Sequence, residues 1–309
     1  MTHPRMSGES VLAFRQRGVA LVAVLWIVAA LTLLVASMQT TSTAEIRVAQ
    51  SRTEIARAAA LGDAAIQMAL LDWRTSAPPP DRMTRKVYTF EEVAIELAVV
   101  PASGYINLNA APEALLRLAL EQRAGLSPAQ AQVLAQRIID WRDQDDAPLP
   151  QGAEAEAYVA AGVAFRPRNK PFTVPEDLMQ VLGMELDLFD MIQGLFSVWS
   201  GSAQGVNPMA APYEVLLLLA GGRAEVAAQI ATARDAGAVG IDTTALEQSF
   251  VGGGSIGNTL HLIASVPLAG GGVAVRGRWV NLAADVDGTP WRTLSVEPVR
   301  FVDASKVGS

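Results

Sequence analysis

Cysteine is absent from this 309-residue chain, histidine occurs twice, and aromatic residues make up only 6% of it. Each scarcity removes a class of function. Without thiols there is no disulfide framework, no thiolate nucleophile and no sulfur-ligated metal. The histidines are His3, close to the N-terminus, and His261, so a multi-histidine metal centre is excluded and most His-dependent catalysis would rest on His261 alone. Basic residues are outnumbered, 24 Lys and Arg against 31 Asp and Glu, for a net charge of −7. With a pI near 5.0, that balance argues against a broad nucleic-acid footprint.

Apolar residues are abundant, half of the chain, and one run stands out. Val19 to Met38 (VALVAVLWIVAALTLLVASM) carries no charge. At about 1.5 Å per residue, a helix of that length spans roughly 30 Å, the hydrocarbon thickness of a bilayer. Arg15-Gln16-Arg17-Gly18 precedes it, which places the N-terminus in the cytoplasm by the positive-inside rule. Three fates fit: a secretory signal cut after Val35-Ala36-Ser37, an uncut anchor, or a cut between Gly18 and Val19 that leaves the helix on the mature chain. The run is longer than the 7–15 residues of an ordinary signal core, and basic residues followed by one small residue favour the third.

From Gln39 polarity rises while the helical pattern persists. Ile55, Ala59, Gly62, Ile66, Ala69 and Trp73 recur every three or four residues and predict one apolar stripe, ended by Pro78-Pro79-Pro80. One helix from 19 to about 74 fits, as do two with a break in Thr40 to Thr43. Lys86 to Val100 reads as one or two strands and Gly104 to Asn109 as another. Helical text follows at Pro112 to Gln122, Ser127 to Trp141, Pro175 to Leu182 and Glu185 to Leu195. Strands return at Thr259 to Val266, Val273 to Val280 and Trp291 to Phe301, separated by glycine-rich turns. The pattern predicts an α+β fold, with helical units inserted into one helix-plus-sheet domain. A string of three domains is the alternative.

The helical block contains a repeat at an offset of 100. Asn107, Ala110, Ala111, Pro112 and Leu116 recur as Asn207, Ala210, Ala211, Pro212 and Leu216. Each copy turns at Asn and enters a helix at Pro, and a small-residue loop (Ala124-Gly125, then Gly221-Gly222) leads to a further helix.

Candidate chemistry lies in the acidic loop. Asp143, Asp145, Asp146 and Glu154 occupy positions 1, 3, 4 and 12 of it. Proline stands where a calcium hand needs glycine, so it is not that motif, but four carboxylates this close repel one another unless a cation joins them. A solvated acidic loop is the plainer reading. Gly253-Gly254-Ser255-Ile256-Gly257 spells a nucleophile elbow but precedes strand text, and Asn258 stands where a phosphate loop needs lysine. The Asn-Leu-Asn-Ala-Ala-Pro turns also suggest helix-hairpin-helix modules, with Arg123 and Arg137 near the first hairpin; this supports an alternative, a membrane-anchored periplasmic DNA-binding protein. Trp141 and Trp199 read as core or interface aromatics.

These residues converge on a family. Arg17-Gly18-Val19-Ala20-Leu21-Val22, INLNAAP at 106–112, WRDQDDAPLPQGAEAEAY at 141–158, the run Arg166 to Pro171, Pro175-Glu176-Asp177-Leu178 and VNPMAAP at 206–212 together resemble general secretion pathway protein K. That is the large minor pseudopilin of type II secretion systems. The resemblance implies a pseudopilin fold, a long N-terminal helix packed on an antiparallel sheet, with a large all-helical insertion. On this reading residues 1–18 are a cytoplasmic prepilin leader, and 19–38 the transmembrane part of the helix. Residues 39–108 hold the pseudopilin helix and first strands, 109–250 the inserted domain of two related units, and 251–309 the C-terminal strands.

The resemblance further implies a non-enzymatic protein of the inner membrane, its bulk periplasmic, cut by prepilin peptidase and methylated on Val19. It implies structural calcium near Asp143, Asp145 and Glu154, with Glu156 or Asp146 compensating for Ala155, which stands where the family usually has Asp. It implies minor pseudopilins I and J as partners, with the pseudopilus and the inner-membrane platform, and no nucleic acid. The fifth residue after the cut is Ala23, where most pilin-like subunits carry Glu. A carboxylate without an amine partner is costly in hydrocarbon, so its absence suits a subunit with no neighbour above it.

Overall fold

The computed structural model describes residues 16–76, 80–90, 92–200, 204–252, 257–268, 271–283 and 288–302. The chain divides into two units, Met1–Arg57 and Ala58–Ser309. The first unit carries most of α1 (Gln16–Ser76), which passes through Thr40 to Thr43 without the break weighed above. Gly18 and Val19 lie on its backbone, and residues 1–15 fall outside the described residues. Of the run 19–38, side chains are described for 20–34, all exposed. Among the described residues no helix is long and apolar enough to cross a membrane.

In the second unit the end of α1 packs on a sheet formed by β1 (Thr84–Phe90) and β2 (Val93–Pro101) and by the later β5 (Thr259–Pro267), β6 (Val273–Asn281), β7 (Arg292–Val296) and β8 (Arg300–Val302). Its order is β1-β2-β5-β6-β7, with β8 also on β6, all antiparallel. Ala58, Ala65, Ile66, Ala69 and Leu70 are buried against Ile95, Leu97, Val99, Leu260 and Leu262. The buried stripe keeps Gly62, Ile66 and Ala69 of the predicted one, with Trp73 packed at its edge, and adds Ala58, Ala65 and Leu70; Ile55 is exposed. Asp63 fixes the register, its carboxylate meeting Arg276 Nε at 3.0 Å and Arg278 Nη2 at 2.6 Å.

Lys86 to Val100 folds as a hairpin, with Glu92 at a φ of 67° in the turn. The predicted strand at Gly104 to Asn109 shrinks to β3 (Ile106–Asn107), because the Asn turn begins there. Between β3 and β5 come α2 (Glu113–Ala124), α3 (Pro128–Arg142), α4 (Ala155–Ala160), α5 (Leu186–Ile192), β4 (Phe196–Ser197), α6 (Tyr213–Leu219) and α7 (Ala224–Asp235). The block is thus not purely helical, since β3 and β4 pair in parallel. Pro175–Gln180 is a 3₁₀ turn where a helix was expected, and Trp291 to Phe301 divides into β7 and β8. Ser127 caps α3 in a capping box with Gln130, as its sequence predicts. The block has its own core, around Trp141, Tyr158, Ile106, Leu115, Leu116 and Ile138.

Candidate functional site

The two Asn turns are built alike. Asn107 Oδ1 accepts from Asn109 N at 3.0 Å, and Asn207 Oδ1 accepts from Met209 N at 3.0 Å. These side-chain turns reverse the chain just before a proline-led helix. In the first copy, Asn109 then grips Phe172 twice, donating to its carbonyl at 3.0 Å and accepting from its N–H at 2.7 Å. Phe172 stacks on Trp141 with centroids 4.4 Å apart and planes at 10°. Arg168 lies 5.7 Å from the Trp141 ring and reaches Asp177 at 3.3 Å. Burial would raise the Asp177 carboxyl, but bonds from Thr173 and Val174 and the Arg168 charge hold it low. Asn169, at a φ of 50°, donates to Asp146 Oδ1 at 2.8 Å and to Asp145 O at 2.9 Å. Motifs scattered from 106 to 178 therefore meet in one corner of the helical block.

The acidic loop forms part of that corner. Asp143 is the C-cap of α3, where the helix dipole disfavours a negative charge. Burial, Asp145 and Asp140 raise its carboxyl, Arg142 opposes them, and Oδ1 has no hydrogen-bond partner. Asp145 Oδ1 accepts from Ala147 N at 2.9 Å. Glu154, the N-cap of α4, is only 7% exposed, and neither of its carboxylate oxygens has a hydrogen-bond partner. Burial first, then the charges of Asp140, Asp143, Asp146 and Asp145, push it up to about 7. Glu156 is exposed on the first turn of α4.

A buried carboxylate among carboxylates is stable when it holds a proton or shares a cation. The donors are all hard oxygens, and unpartnered oxygens on Glu154 and Asp143 fit a calcium-like ion in chemistry. Among the described residues, no three acidic or histidine side chains are gathered as a ready-made metal site.

Two residues that hold this loop escaped the sequence reading. Asp140 is fully buried and accepts from Leu149 N at 3.2 Å and from Ala153 N at 2.8 Å. Gln136, 4% exposed, accepts from Gln151 N at 2.7 Å and donates to Glu113 at 3.2 Å. The available signal was two polar side chains four apart, interrupting the apolar pattern of α3.

Elsewhere the chemistry is already engaged. Arg123 contacts Glu214 at 2.9 Å and the Met191 carbonyl, and Arg137 donates to the Leu182 carbonyl, so neither hairpin arginine is poised for a phosphate. Trp141 is fully buried, and Trp199 packs on Trp279 at 4.7 Å. His261 sits in the sheet between Tyr105 and Glu297, with Nδ1 2.8 Å from the Tyr105 hydroxyl and Nε2 2.9 Å from Glu297 Oε1. Ser255 lies outside the described residues.

Residues 102–201, the span holding most of this corner, match the family described as Type II secretion system (T2SS), protein K. Type II secretion system protein K of Klebsiella pneumoniae is 27% identical over 202 residues, 58% of this chain and 61% of that protein. The protein of the same name from Dickeya chrysanthemi is 37% identical over 65 residues, 21% of this chain and 17% of that one. The chain thus spans about three fifths of the first of these relatives at most. In fold it is similar to a chain in the crystal structure of the GspK-GspI-GspJ complex from the enterotoxigenic Escherichia coli type 2 secretion system. The TM-score is 0.53 at 16% identity, over 82% of this chain and 99% of that one.

Proposed function

From its similarity to type II secretion system protein K, we propose that this chain is a minor pseudopilin that caps or initiates a periplasmic pseudopilus. The observation that carries this reading is the gathering of the family's motifs around one corner of a helical block set between β2 and β5. That block stands on a sheet backed by the end of a long N-terminal helix, the layout expected of a pseudopilin head. The role is one of assembly and needs no catalytic group.

The reading has four finer parts. Val19 to Met38 anchors the protein in the inner membrane with the bulk of the chain periplasmic. Prepilin peptidase cuts between Gly18 and Val19, and Val19 is methylated. Minor pseudopilins I and J are the partners, docking with this chain at the tip. Asp143, Asp145, Asp146 and Glu154 hold a structural calcium ion, with Glu156 at the margin; the ion would supply the positive charge that the buried carboxylates lack.

The test is coexpression of the full chain with minor pseudopilins I and J and prepilin peptidase, followed by affinity capture from detergent extracts. Co-elution of all three supports the reading, and consistent capture of this chain alone would overturn it. A Gly18→Leu variant should stay at precursor size; normal processing would refute the leader assignment.

A further inference from the structure

Asp140 and Gln136 together form a clamp on the far side of the acidic loop. Both project from α3, one turn apart, and between them they accept from Leu149, Gln151 and Ala153. Three N–H groups of one five-residue loop are thus tied to a single helix face. Ala153 immediately precedes Glu154, so the clamp sets where the Glu154 carboxylate enters. Gly152 completes the arrangement: a Cβ there would fall directly on Asp140 Oδ2. With its oxygens engaged by the loop amides and no exposure to solvent, Asp140 is placed as a support and not as a ligand.

We propose that Asp140 and Gln136 are positioning residues for cation binding, holding the 149–153 loop so that Glu154 faces Asp143 before an ion arrives. This deepens the calcium reading and rests on it. Supporting residues of this type commonly change metal affinity by about 10- to 100-fold when replaced. Pre-setting Glu154 lowers the ordering cost of binding, because a glutamate free to swing away would lose rotamer freedom on capture.

The test uses the full chain in detergent micelles and terbium, an oxygen-seeking ion of calcium's size whose luminescence is excited through a neighbouring tryptophan, here Trp141. In the unaltered chain terbium should give a signal that calcium displaces, and Glu154→Gln should abolish it. Asp140→Asn places an amide N–H₂ against loop N–H groups that need acceptors. It should weaken terbium binding by about tenfold or more. Gln136→Leu frees one loop N–H and should weaken binding in the same direction by a smaller factor. It decides the question by itself if Asp140→Asn does not fold.

A purely structural role predicts a different split, with Tm lowered equally with and without calcium and affinity unchanged. That result would overturn the positioning role while leaving the calcium reading intact. Absence of any calcium-displaceable signal in the unaltered chain would overturn the calcium reading and the clamp with it.

Discussion

Arg142 and Arg234 make the same bond in the two related units. Arg142 Nη2 donates to the carbonyl of Ala111 at 2.6 Å, and Arg234 Nη1 donates to the carbonyl of Ala211 at 2.6 Å. Each arginine lies in the last turn of the second helix of its unit, α3 or α7, and reaches back to the Asn turn that began the unit. Each is followed by an aspartate, Asp143 or Asp235. Arg142 also bonds the Leu108 carbonyl, and burial lowers it to about 10 although Asp143 opposes the shift. The two copies therefore share a closing device as well as a spelling.

That device predicts a graded loss. Arg142→Met, which releases two carbonyls, should cost about 2–6 kcal/mol, because carbonyls buried without a donor each cost roughly 1–3 kcal/mol. Arg234→Met, which releases one carbonyl, should cost about 1–3 kcal/mol. Urea unfolding midpoints of the two variants measure both. Equal and near-zero effects would show that the turns hold without their arginines.

Glu154 gives a second prediction, read in chelator. Its carboxyl is raised from 4.5 to about 7 by burial and by neighbouring carboxylates. Below about pH 4.5 the group is protonated in the folded and unfolded chains alike, and its contribution to stability is fully present. As pH climbs toward 7 the unfolded chain loses this proton first, so folding is penalised progressively. Tm without calcium should fall across that window, and Glu154→Gln should flatten the fall. A wild-type profile unchanged by Glu154→Gln would contradict the burial of an unpaired charge.

What could be read from the sequence followed physical rules that act locally. Ser127-Pro128 starts α3 because a cap and a proline fix the first turn whatever surrounds them. The Asn turns are spelled out in full, so the repeat was visible before any contact was known. The failures needed tertiary information. Asp140 looks like one more acidic residue near an acidic loop, and only the return of Leu149 and Ala153 turns it into a buried acceptor. The predicted α1 stripe keeps Gly62, Ile66 and Ala69 but omits Ala58 and Ala65, because alanines carry little hydrophobic weight in a pattern count, yet they face the sheet. Trp291 to Phe301 divides at Glu297-Pro298-Val299, and Pro298, which cannot donate to a ladder, was the local signal for that break.

The neck between sheet and helical block supplies a third prediction. Asn207 N donates to the Ser103 carbonyl at 2.8 Å, which brings the second Asn turn against the chain leaving β2. Gly104 sits at that contact, and a Cβ there would overlap the Ala210 carbonyl, a backbone group with no rotamer to yield. Gly104→Ala should therefore destabilise by about 3 kcal/mol or more, at the upper end of the range for overpacking. Thermal unfolding of the variant checks this. A Tm within a degree of wild type would mean that the two turns separate at no cost.

The fourth prediction concerns acid. Burial alone would raise Glu297, but the His261 ring beside it, Arg300 and the Trp279 indole hold it at about 2. A depressed carboxyl stabilises the fold above its unfolded value of 4.5, and that stability is lost as pH falls toward 2. Gly277 makes the arrangement possible, since a Cβ there would overlap Glu297 Oε2. Glu297 joins the strand that carries His261 to the segment between β7 and β8, so its protonation releases a tie across the sheet. Unfolding followed from pH 5 to pH 2 should therefore lose part of its steepness in Glu297→Gln. Glu154 contributes with the opposite sign in the upper part of that window, so the comparison is cleanest in a Glu154→Gln background. An acid limb identical with and without Glu297 in that background would show that the His261 pairing adds nothing to the folded state.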